Sequence, residues 1–535
     1  MNTKQLKAKI LDLAIHGKLV PQNPDDEPAS KLLEKIREEK AKLIAEKKVK
    51  ADKNDSYIFV GDDKRHYEQM ADGTVKDIED EIPFDVPEGW AWCRLGEIAF
   101  VTAGKTPSKD AFVNEGIPYI KMYNLRNQRI DFDFQPQYIK REIHEKVLKK
   151  SQTEIGDLIM NIVGPPLGKL AFIPESLPEA NFNQAAVLIR PYRFKSEINK
   201  YLFYFLSEMS EINSIATKGS AGQVNISLTQ SQCMKIPLPP LAEQERIVSA
   251  IENIFAQIDT LEQNKFDLQV TIKQAKSKIL DLAIHGKLVP QDPNDEPADV
   301  LLEKLRAEKE AKIKAGELKR DKNDSYIYKS STDNCHYEKF NDKDAVSIED
   351  EIPFEIPESW QWCRLPTICK IPITDGTHQT PTYSDKENGI PFLSSKDVTS
   401  QRIEWSEIKY ITKDLHEQLQ KRVKPRKNDI LLAKNGTTGV AALVETDEIF
   451  DIYVTLALLR PANIINPKFL LFMVNSPFCK NQFNGHLTGI GVPNLHLNDI
   501  CKTLIPISPI SEQQRIVSKI EELFTALDQI QKNLV

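Results

Sequence analysis

The residues of this sequence that could do chemistry are polar side chains in short loops between apolar, strand-like runs. One block of the chain supplies Lys105, Thr106, Ser108, Lys109, Lys121, Tyr123, Asn124, Arg126, Lys169, Lys218, Gln223 and Asn225. A second block supplies Thr377, His378, Gln379, Thr380, Ser394, Ser395, Lys396, Lys434, Asn435, Thr437, Thr438 and His486. Side chains of these types read base edges and hold phosphates in DNA complexes. An ordinary polar turn explains any single loop, but the full set in both blocks favours a DNA-binding surface.

Motifs for catalysis are weak or absent in this chain. Residues 99–106 fit a relaxed nucleotide-binding pattern with a single glycine, and Pro107 follows at once, whereas a phosphate-cradling loop needs several glycines. Residues 475–478, Asn-Ser-Pro-Phe, lack the second proline of the adenine-methylation tetrad. No HExxH motif and no Cys/His cluster at metal-ligand spacing occurs. We therefore expect no catalytic residue, no metal site and no cofactor bound by this chain.

Length and composition predict a soluble, multidomain protein. The 535 residues, with 40% hydrophobic and 28% charged side chains, suggest three to five domains at roughly 100–200 residues each. No apolar run reaches the roughly 18 residues of a membrane span. The first residues are interrupted by charge too often for a secretory signal. Seven cysteines without a CxxC pair suggest a reduced, cytoplasmic protein.

Charge is distributed unevenly along the chain. The net charge of −7 alone argues against nucleic-acid binding. Residues 94–236, however, hold 18 Lys and Arg against 14 Asp and Glu, and residues 364–505 hold 17 against 14. These two blocks are therefore mildly basic at +4 and +3, and the remainder carries −14. Mild basicity is weak support for DNA binding by itself.

The elements that must position the loops belong to an internal repeat. Residues 9–29 return at 278–298 with 19 of 21 positions identical. Residues 78–95 return at 348–365, and residues 243–255 return at 512–524. The inserts between these matched segments, 96–236 and 366–505, agree only in scattered places. Two near-identical frames therefore hold two divergent inserts, which is the pattern expected if each insert recognises a different target.

The frame contains a heptad pattern typical of coiled coils. From Ile247 to Leu282, apolar residues alternate spacings of four and three with one polar member, and the pattern recurs from Ile516 to Leu534. A helix of about 40 residues would be roughly 60 Å long. We predict that two such helices pair in antiparallel fashion within one chain; pairing between two chains is the alternative. The charge-rich helix at 31–55 is either a solvated face or a docking site for another subunit.

We predict an α+β fold with a pseudo two-fold internal repeat, in which two long antiparallel coiled-coil helices separate two mixed α/β target-recognition domains. The predicted segments are a helical frame and linker at 1–77, a first recognition domain at 78–240, a central helix and linker at 241–347, a second recognition domain at 348–509 and a C-terminal helix at 510–535. The recognition domains are expected to be curled sheets with few helices, because their β-type runs are short and broken by Gly, Pro and Asn.

The whole chain resembles the specificity (S) subunit of Type I restriction–modification enzymes. The resemblance rests on AIHGKLVPQ and DEPA within 14–29 and 283–298, on the IPxxPxxWxWCRL segments at 82–95 and 352–365, on GKTP at 104–107 and DGTHQTP at 375–381, and on the helix starts at 237–248 and 506–517. DGTHQTP has only GKTP opposite it, so the sequence does not map contact residues from one insert to the other.

This resemblance implies a non-catalytic subunit whose two inserts each read one half of a bipartite, asymmetric site in double-stranded DNA. It implies helices that set the distance between half-sites and a frame that binds two methylation subunits. S-adenosylmethionine would belong to those subunits, while ATP and Mg²⁺ would belong to motor and restriction subunits. The expected location is the cytoplasm, at the nucleoid. The alternative from another functional class is a structural adaptor whose inserts bind protein ligands.

Overall fold

The computed structural model describes residues 2–52, 55–164, 166–217, 225–320, 324–340, 343–398, 402–485 and 494–534. It divides into two compact units, Met1–Asn264 and Lys265–Val535. Each unit contains one copy of the frame and one insert. The five finer segment boundaries expected from the sequence stay a prediction.

Unit 1 begins with two helices, continues through short strands and ends in a long helix. The helices are α1 (Thr3–Ile15), α2 (Ala29–Ala45), α3 (Leu95–Ile98), α4 (Lys195–Glu208), α5 (Ser210–Thr217), α6 (Leu228–Gln232) and α7 (Leu241–Ile284), the last of which continues into unit 2. The strands are β1 (Ser56–Val60), β2 (His66–Met70), β3 (Val75–Asp77), β4 (Ala91–Arg94), β5 (Ala99–Ala103), β6 (Phe112–Val113), β7 (Ile117–Ile120), β8 (Leu125–Arg126), β9 (Arg129–Ile130), β10 (Tyr138–Ile139), β11 (Leu158–Asn161), β12 (Leu170–Phe172), β13 (Asn181–Phe182), β14 (Ala186–Pro191) and β15 (Lys235–Leu238).

Unit 2 repeats this order in outline, without a counterpart of β8 and β9 in its described residues and with one added helix, α9. Its further helices are α8 (Ala298–Lys314), α9 (Lys413–Leu419), α10 (Pro467–Val474), α11 (Pro477–Gly485), α12 (Leu497–Lys502) and α13 (Ile510–Asn533). Its strands are β16 (Ser325–Lys329), β17 (His336–Phe340), β18 (Val346–Ser347), β19 (Gln361–Arg364), β20 (Thr374–Asp375), β21 (Tyr383–Ser384), β22 (Ile390–Leu393), β23 (Lys409–Ile411), β24 (Ile430–Ala433), β25 (Ala441–Leu443), β26 (Asp451–Ile452), β27 (Leu456–Leu459) and β28 (Leu504–Ile507).

The two inserts share one sheet topology despite their divergent sequences. In unit 1, a four-stranded sheet has the order β12-β11-β14-β5, and a second sheet has the order β13-β7-β10-β6. In unit 2, the corresponding orders are β25-β24-β27-β20 and β26-β22-β23-β21. In each second sheet, one strand pair is parallel, β13 with β7 and β26 with β22. The mixed α+β class expected from the sequence is confirmed.

In each unit, frame strands close the base of the insert. β4 pairs with β15, and β19 pairs with β28, so the first and last strands around each insert lie side by side. Beside them lies a three-stranded meander, β1-β2-β3 in unit 1 and β16-β17-β18 in unit 2. Arg94 joins this strand pair to the meander through Glu68 at 2.7 Å, and Arg364 does so through Glu338 at the same distance.

One buried carboxylate in each unit joins three distant segments of the frame. The Glu243 side chain, at the start of α7, accepts hydrogen bonds from Trp90 Nε1 at 2.9 Å and from Gln22 Nε2 at 2.7 Å. In unit 2, Glu512 accepts the same bonds from Trp360 and Gln291. Burial raises the pKa of Glu243, and its two donors oppose that rise. The repeat in sequence is therefore a repeat of contacts.

The helical part of each unit also repeats its ion pairs. Lys7 of α1 pairs with Asp259 of α7 within unit 1. Lys276 of α7 pairs with Asp528 of α13 at 2.5 Å within unit 2, at positions shifted by 269 residues. Thr3, four residues before Lys7, contacts Glu262, three residues after Asp259. α1 therefore runs antiparallel to this part of α7. Each helix that ends the chain thus contacts one part of α7.

The continuous heptad seam predicted for α7 is corrected by the structure. Its outer positions, such as Ile251 and Ile272, are buried, but every residue from 259 to 271 is exposed. Leu261, at a seam position, is 65% exposed. α1 begins at residue 3 and α13 ends at residue 533, and their contacts on α7 reach residues 262 and 276, on either side of the exposed stretch. A heptad pattern alone does not show where the partner helix stops.

Because each unit has one such buried carboxylate, removing its indole donor should destabilise either unit. Trp90→Phe and Trp360→Phe each remove an indole N–H donor to a buried carboxylate. We expect each substitution to lower the free energy of unfolding of its unit by about 1.5–3 kcal/mol beyond the loss from the smaller ring. Urea unfolding followed by circular dichroism measures this effect.

Trp405→Phe is the matched control, because Trp405 packs against Phe450 and its indole donates no hydrogen bond to the described residues. Equal losses in all three variants would show that the indole–carboxylate bonds do not stabilise the frame.

Candidate nucleic-acid interface

The polar loops of the first insert meet at one end of its main sheet. Ala103 at the end of β5 pairs with Val187, and Asn161 at the end of β11 pairs with Ala186 at the start of β14. The loops after β5 and β11, and those before β12 and β14, therefore leave the sheet at the same end. The turn after β7 joins them, because the Asn183 N–H donates to the Ile120 carbonyl at 3.1 Å. We call this end the loop edge of insert 1.

The GKTP loop packs tightly against the loop edge. The Gly104 N–H donates to the Ala186 carbonyl oxygen at 3.1 Å, and a Cβ atom on Gly104 would lie 2.2 Å from the Asn183 carbonyl oxygen. This close approach admits only glycine. The Tyr119 hydroxyl donates to the Lys105 carbonyl oxygen at 3.0 Å. The backbone of the loop is thus held in place while the Lys105 side chain is exposed.

A capped turn follows β7. The Asn124 side chain is 1% exposed; it accepts from the Lys121 N–H at 2.9 Å and donates to the Asp131 and Phe134 carbonyl oxygens at 3.1 and 2.8 Å. Next to it, the Arg126 guanidinium lies 4.2 Å from the Phe134 ring and remains half exposed. Asn124 therefore shapes the turn, and Arg126 is available to a ligand.

A third loop lies beside these two. The buried Asn161 side chain accepts from the Lys169 N–H at 2.6 Å and donates to the Pro166 carbonyl oxygen at 3.0 Å, which closes the loop on itself. The Asn225 side chain accepts from the Gly164 N–H at 3.2 Å, so the segment before α6 reaches the same edge. One end of the domain therefore gathers loops from four places in the insert.

The second insert builds the same edge from different residues. Asp375 ends β20 opposite Ala457, and Ala433 ends β24 opposite Leu456 at the start of β27. The Ser395 N–H donates to Thr455 Oγ1 at 3.0 Å, which brings the turn after β22 to the same end. Loops starting at residues 376, 394 and 434 therefore converge, as their counterparts do in insert 1.

Strand register maps one insert onto the other, which the sequence did not allow. Gly376 occupies the place of Gly104, because a Cβ atom there would lie 2.0 Å from the Ile452 carbonyl oxygen. The N–H groups of Lys105 and Thr377 donate to equivalent carbonyl oxygens, those of Phe182 and Ile452. GKTP and DGTHQTP thus begin at equivalent positions.

The turns after β7 and β22 are equivalent as well. The Ser394 N–H donates to the buried Asp397 side chain at 2.7 Å, as the Lys121 N–H donates to Asn124. At the loop edge, the backbone geometry is therefore shared, and the exposed side chains differ. Lys121 corresponds to Ser394 and Tyr123 corresponds to Lys396.

Insert 2 has a charged cluster beneath its edge, and the described residues of insert 1 have none at the equivalent positions. Asp375, 2% exposed, contacts Lys434 Nζ at 2.5 Å, Arg422 Nη2 at 2.9 Å and His378 Nε2 at 3.2 Å. Burial alone would raise the pKa of Asp375, but the hydrogen bond and charge of Lys434 outweigh it, and the pKa is lowered. The carboxylate is therefore ionised at neutral pH.

Most of the predicted site residues have exposed or half-exposed side chains. These are Lys105, Thr106, Ser108, Lys109, Lys121, Tyr123, Arg126, Lys169, Asn225, His378, Gln379, Thr380, Ser394, Ser395, Lys396, Asn435, Thr437 and Thr438. Lys218, Gln223 and His486 lie outside the described residues. Whether any of these side chains contacts DNA stays a prediction.

Three of the predicted site residues are buried. Asn124 and Lys434 are buried and make their hydrogen bonds to the protein, and the buried Thr377 hydroxyl accepts from the Gln379 N–H at 3.1 Å. A polar residue type at a loop position does not show whether its side chain turns outward. These three side chains hold other groups of the edges in place, and whether they contact DNA stays a prediction.

Two residues at the edges, Gln184 and Arg422, were not among the candidates predicted from the sequence. Gln184, in the short loop before β14, is exposed and bonded to Thr106. Its polar neighbours in the run 181–184 were a signal that could have identified this loop. Arg422 follows α9 and reaches the edge from a distant charged segment. Nothing in its sequence surroundings distinguishes it from other exposed cations.

Across the described ranges, no group of three or more His, Cys, Asp or Glu side chains is placed to hold a metal ion. None of the helices within those ranges is long and apolar enough to cross a membrane.

Comparison with known proteins gives concordant matches. A family model described as the Type I restriction modification DNA specificity domain matches residues 87–269 and 357–535. The EcoAI specificity subunit of Escherichia coli is 28% identical, over 98% of this chain and 90% of that protein. The EcoEI specificity subunit of Escherichia coli is 27% identical, over 99% and 90%.

A solved structure, from work on the assembly and conformational transition of the type I R-M system, covers 84% of this chain and 94% of its own with a TM-score of 0.50. At 18% identity, this similarity supports the fold alone.

Because the Asn124 side chain holds the capped turn and the Lys105 side chain is exposed, substitutions of the two residues should change stability by different amounts. Asn124→Ala removes three hydrogen bonds between a buried side chain and the backbone, and we expect it to lower the free energy of unfolding of its unit by about 1–3 kcal/mol. Lys105→Gln, on the neighbouring loop, should change it by less than about 0.5 kcal/mol, because that side chain is exposed. Thermal and urea unfolding compare the two variants. Equal stability would show that Asn124 does not hold the turn.

Proposed function

The chain belongs to the Type I restriction modification DNA specificity family, and from this premise we propose that each insert reads one half of a bipartite, asymmetric DNA site. The supporting observation is that two inserts of one topology present different side chains at equivalent loop edges inside duplicated frames. Direct readout of DNA requires side chains that reach base edges from a positioned backbone. Each edge supports such readout, because it exposes polar side chains on a backbone held by hydrogen bonds.

The exposed chemistry of the two edges suits double-stranded DNA. Insert 1 presents Lys105, Lys109 and Arg126, which can hold phosphates or guanine, while insert 2 presents Gln379 and Lys396. Because the two sets differ, the two half-sites should differ in sequence. This difference is the physical basis for an asymmetric site.

As a specificity subunit, the chain supplies recognition to a larger enzyme. We propose that two methylation subunits bind the two copies of the frame, and that motor and restriction subunits join them. S-adenosylmethionine, ATP and Mg²⁺ would then be bound by those partners. The complex would act in the cytoplasm on the DNA of the nucleoid.

The helices are proposed to set the distance between the two half-sites. α7 is one helix of 44 residues that belongs to both units. The repeated pairs Lys7–Asp259 and Lys276–Asp528 support a pseudo two-fold relation, with α1 and α13 each forming a short coiled coil with one part of α7. The exposed residues 259–271 would then be a single-helix segment between two paired ones.

Modularity of the inserts is the first test of this function. Residues 96–234 would be replaced by the insert of another family member, which leaves β4 and β15 to pair as before. We expect one half-site of the methylated sequence to change and the other to stay the same. Methylation mapping of DNA from cells that carry the complex measures both halves at once.

The matched control replaces insert 2 in the same way, and it should change the other half-site only. A swap that alters both half-sites in a folded protein would show that the inserts do not read independently. Binding competition with unrelated DNA tests the adaptor alternative, because an adaptor for protein ligands has no preferred sequence.

Helix length is the second test. Four residues inserted between Leu261 and Leu268 add about 6 Å of helix, which corresponds to about two base pairs of duplex at 3.4 Å per step. The insertion lies in an exposed stretch, so it disrupts no buried contact of the described residues. We expect a longer spacer between two unchanged half-sites, read by methylation mapping.

Four alanine substitutions in the same exposed stretch keep the helix length and should leave the spacer unchanged. An active insertion variant with the original spacer would mean that α7 does not set the distance.

A further inference from the structure

The charged cluster under the loop edge of insert 2 has more positive than negative charge. Asp375 supplies one negative charge, whereas Lys434 and Arg422 supply two positive charges, and His378 adds a third when protonated. Lys434 is 7% exposed at its side chain, and its ammonium group bonds to Asp375 Oδ2 at 2.5 Å. Arg422 and His378 are 53% and 63% exposed. The surplus charge is therefore presented to solvent by Arg422 and His378.

Arg422 is held by the protein and has donors left over. Its Nη2 group bonds to Asp375 Oδ1 at 2.9 Å, and its Nη1 group bonds to the Gly376 carbonyl oxygen at 3.4 Å. A guanidinium has five N–H donors, and the other three make no hydrogen bond to the described residues. An arginine tethered at one side loses less conformational freedom when its other side binds an anion.

The two exposed groups share one concave site. A cavity of about 290 Å³ is lined by Gly376, Thr377, His378, Gln379 and Arg422, together with Gln418, Leu419, Val423, Asp451 and Ile452. Asp451 is 2% exposed, and its two carboxylate oxygens are bonded to His416 and Gln420. Side chains that read base edges reach outward into a groove, whereas this site is recessed and exposes the Arg422 and His378 side chains. A recessed site with a tethered arginine suits an anionic group that projects into it, and in DNA that group is the backbone phosphate.

We propose that Arg422, positioned by Asp375 and joined by His378, binds one backbone phosphate of the half-site that insert 2 reads. The site positions insert 2 on the duplex and contributes affinity without sequence preference. This inference rests on the proposed function, because it requires DNA at the loop edge of insert 2.

Insert 1 lacks this cluster at the equivalent positions. Strand register places Ala103 where insert 2 has Asp375, and Ile162 where it has Lys434. Insert 1 instead has the exposed Lys105 opposite the buried Thr377. The two inserts would therefore hold the backbone differently, insert 2 with a tethered arginine and insert 1 with a free lysine.

The test compares Arg422→Gln with wild type in the assembled complex with its methylation subunits. Each phosphate contact contributes about −0.9 to the slope of log affinity against log salt concentration. We expect Arg422→Gln to make that slope shallower by about 0.9 and to weaken binding to cognate and unrelated duplexes alike, by about tenfold. The methylated sequence should stay the same.

Lys427→Gln is the matched control. It removes one exposed positive charge from the same insert, before the start of β24, at the end of the sheet opposite the loop edge. Its slope and affinity should equal those of wild type. A fall equal to that of Arg422→Gln would show a general charge effect and overturn the proposal.

Duplexes with single uncharged methylphosphonates locate the contact. One position in the half-site of insert 2 should weaken the wild-type complex, and Arg422→Gln should lose no further affinity there. An unchanged salt slope, or a changed base at any position of the methylated sequence, would overturn the proposal. If the wild-type complex shows no bipartite preference at all, the proposed function fails first, so the two failures are distinguishable.

Asp375 is a positioning residue in this proposal. Asp375→Asn alone leaves the buried Lys434 ammonium without its anion and could unfold the insert, so the informative variant is Asp375→Asn with Lys434→Met. Arg422 remains in that double variant but loses its tether. We expect weaker binding with the salt slope unchanged, because the phosphate contact persists at lower occupancy of the correct rotamer. Affinity equal to wild type in a folded protein would show that Asp375 does not position Arg422.

Discussion

A buried carboxylate bonded to an indole and an amide is the interaction on which the rest of this structure depends. Glu243 and Glu512 each lie at the start of a helix and each bond to a tryptophan at the base of an insert and to a glutamine of the preceding frame segment. A buried carboxylate must be satisfied by donors, and here each donor lies more than 150 residues before the carboxylate in sequence. Each insert is thus attached at its base, whatever its own sequence contains.

Because each insert is attached at its base, the residues that hold the fold are distinct from the exposed residues that can vary. The backbone at the loop edges is held by a glycine in close contact, by a capped turn and by strand pairing, and these occur in both inserts with different residues. Asn124 and Asp397 serve the same turn, one as a neutral amide and one as a carboxylate. The side chains on the outside are not needed for the fold. A protein built in this way can change what it recognises without losing its stability.

Much of this organisation can be predicted from the sequence, and the exceptions have physical causes. The repeat identified the frames, because their segments are nearly identical, and the polar loops identified both edges. The exposed middle of α7 was missed, since heptad spacing reports a helix face and not the length of its partner. The burial of Lys434 was not predicted, because it depends on a contact with Asp375, which is 59 residues away in sequence. Arg422 was missed for the same reason: its position at the edge is a product of the fold.

The central claim is that the frame is indifferent to the insert that it carries. The most direct measurement replaces insert 2 with a second copy of insert 1, residues 96–234, between the intact β19 and β28 strands, and maps DNA methylation in cells that carry the complex. Our account predicts a folded, active protein whose methylated site has the half-site of insert 1 on both sides. A folded variant that still recognises the original second half-site would contradict it.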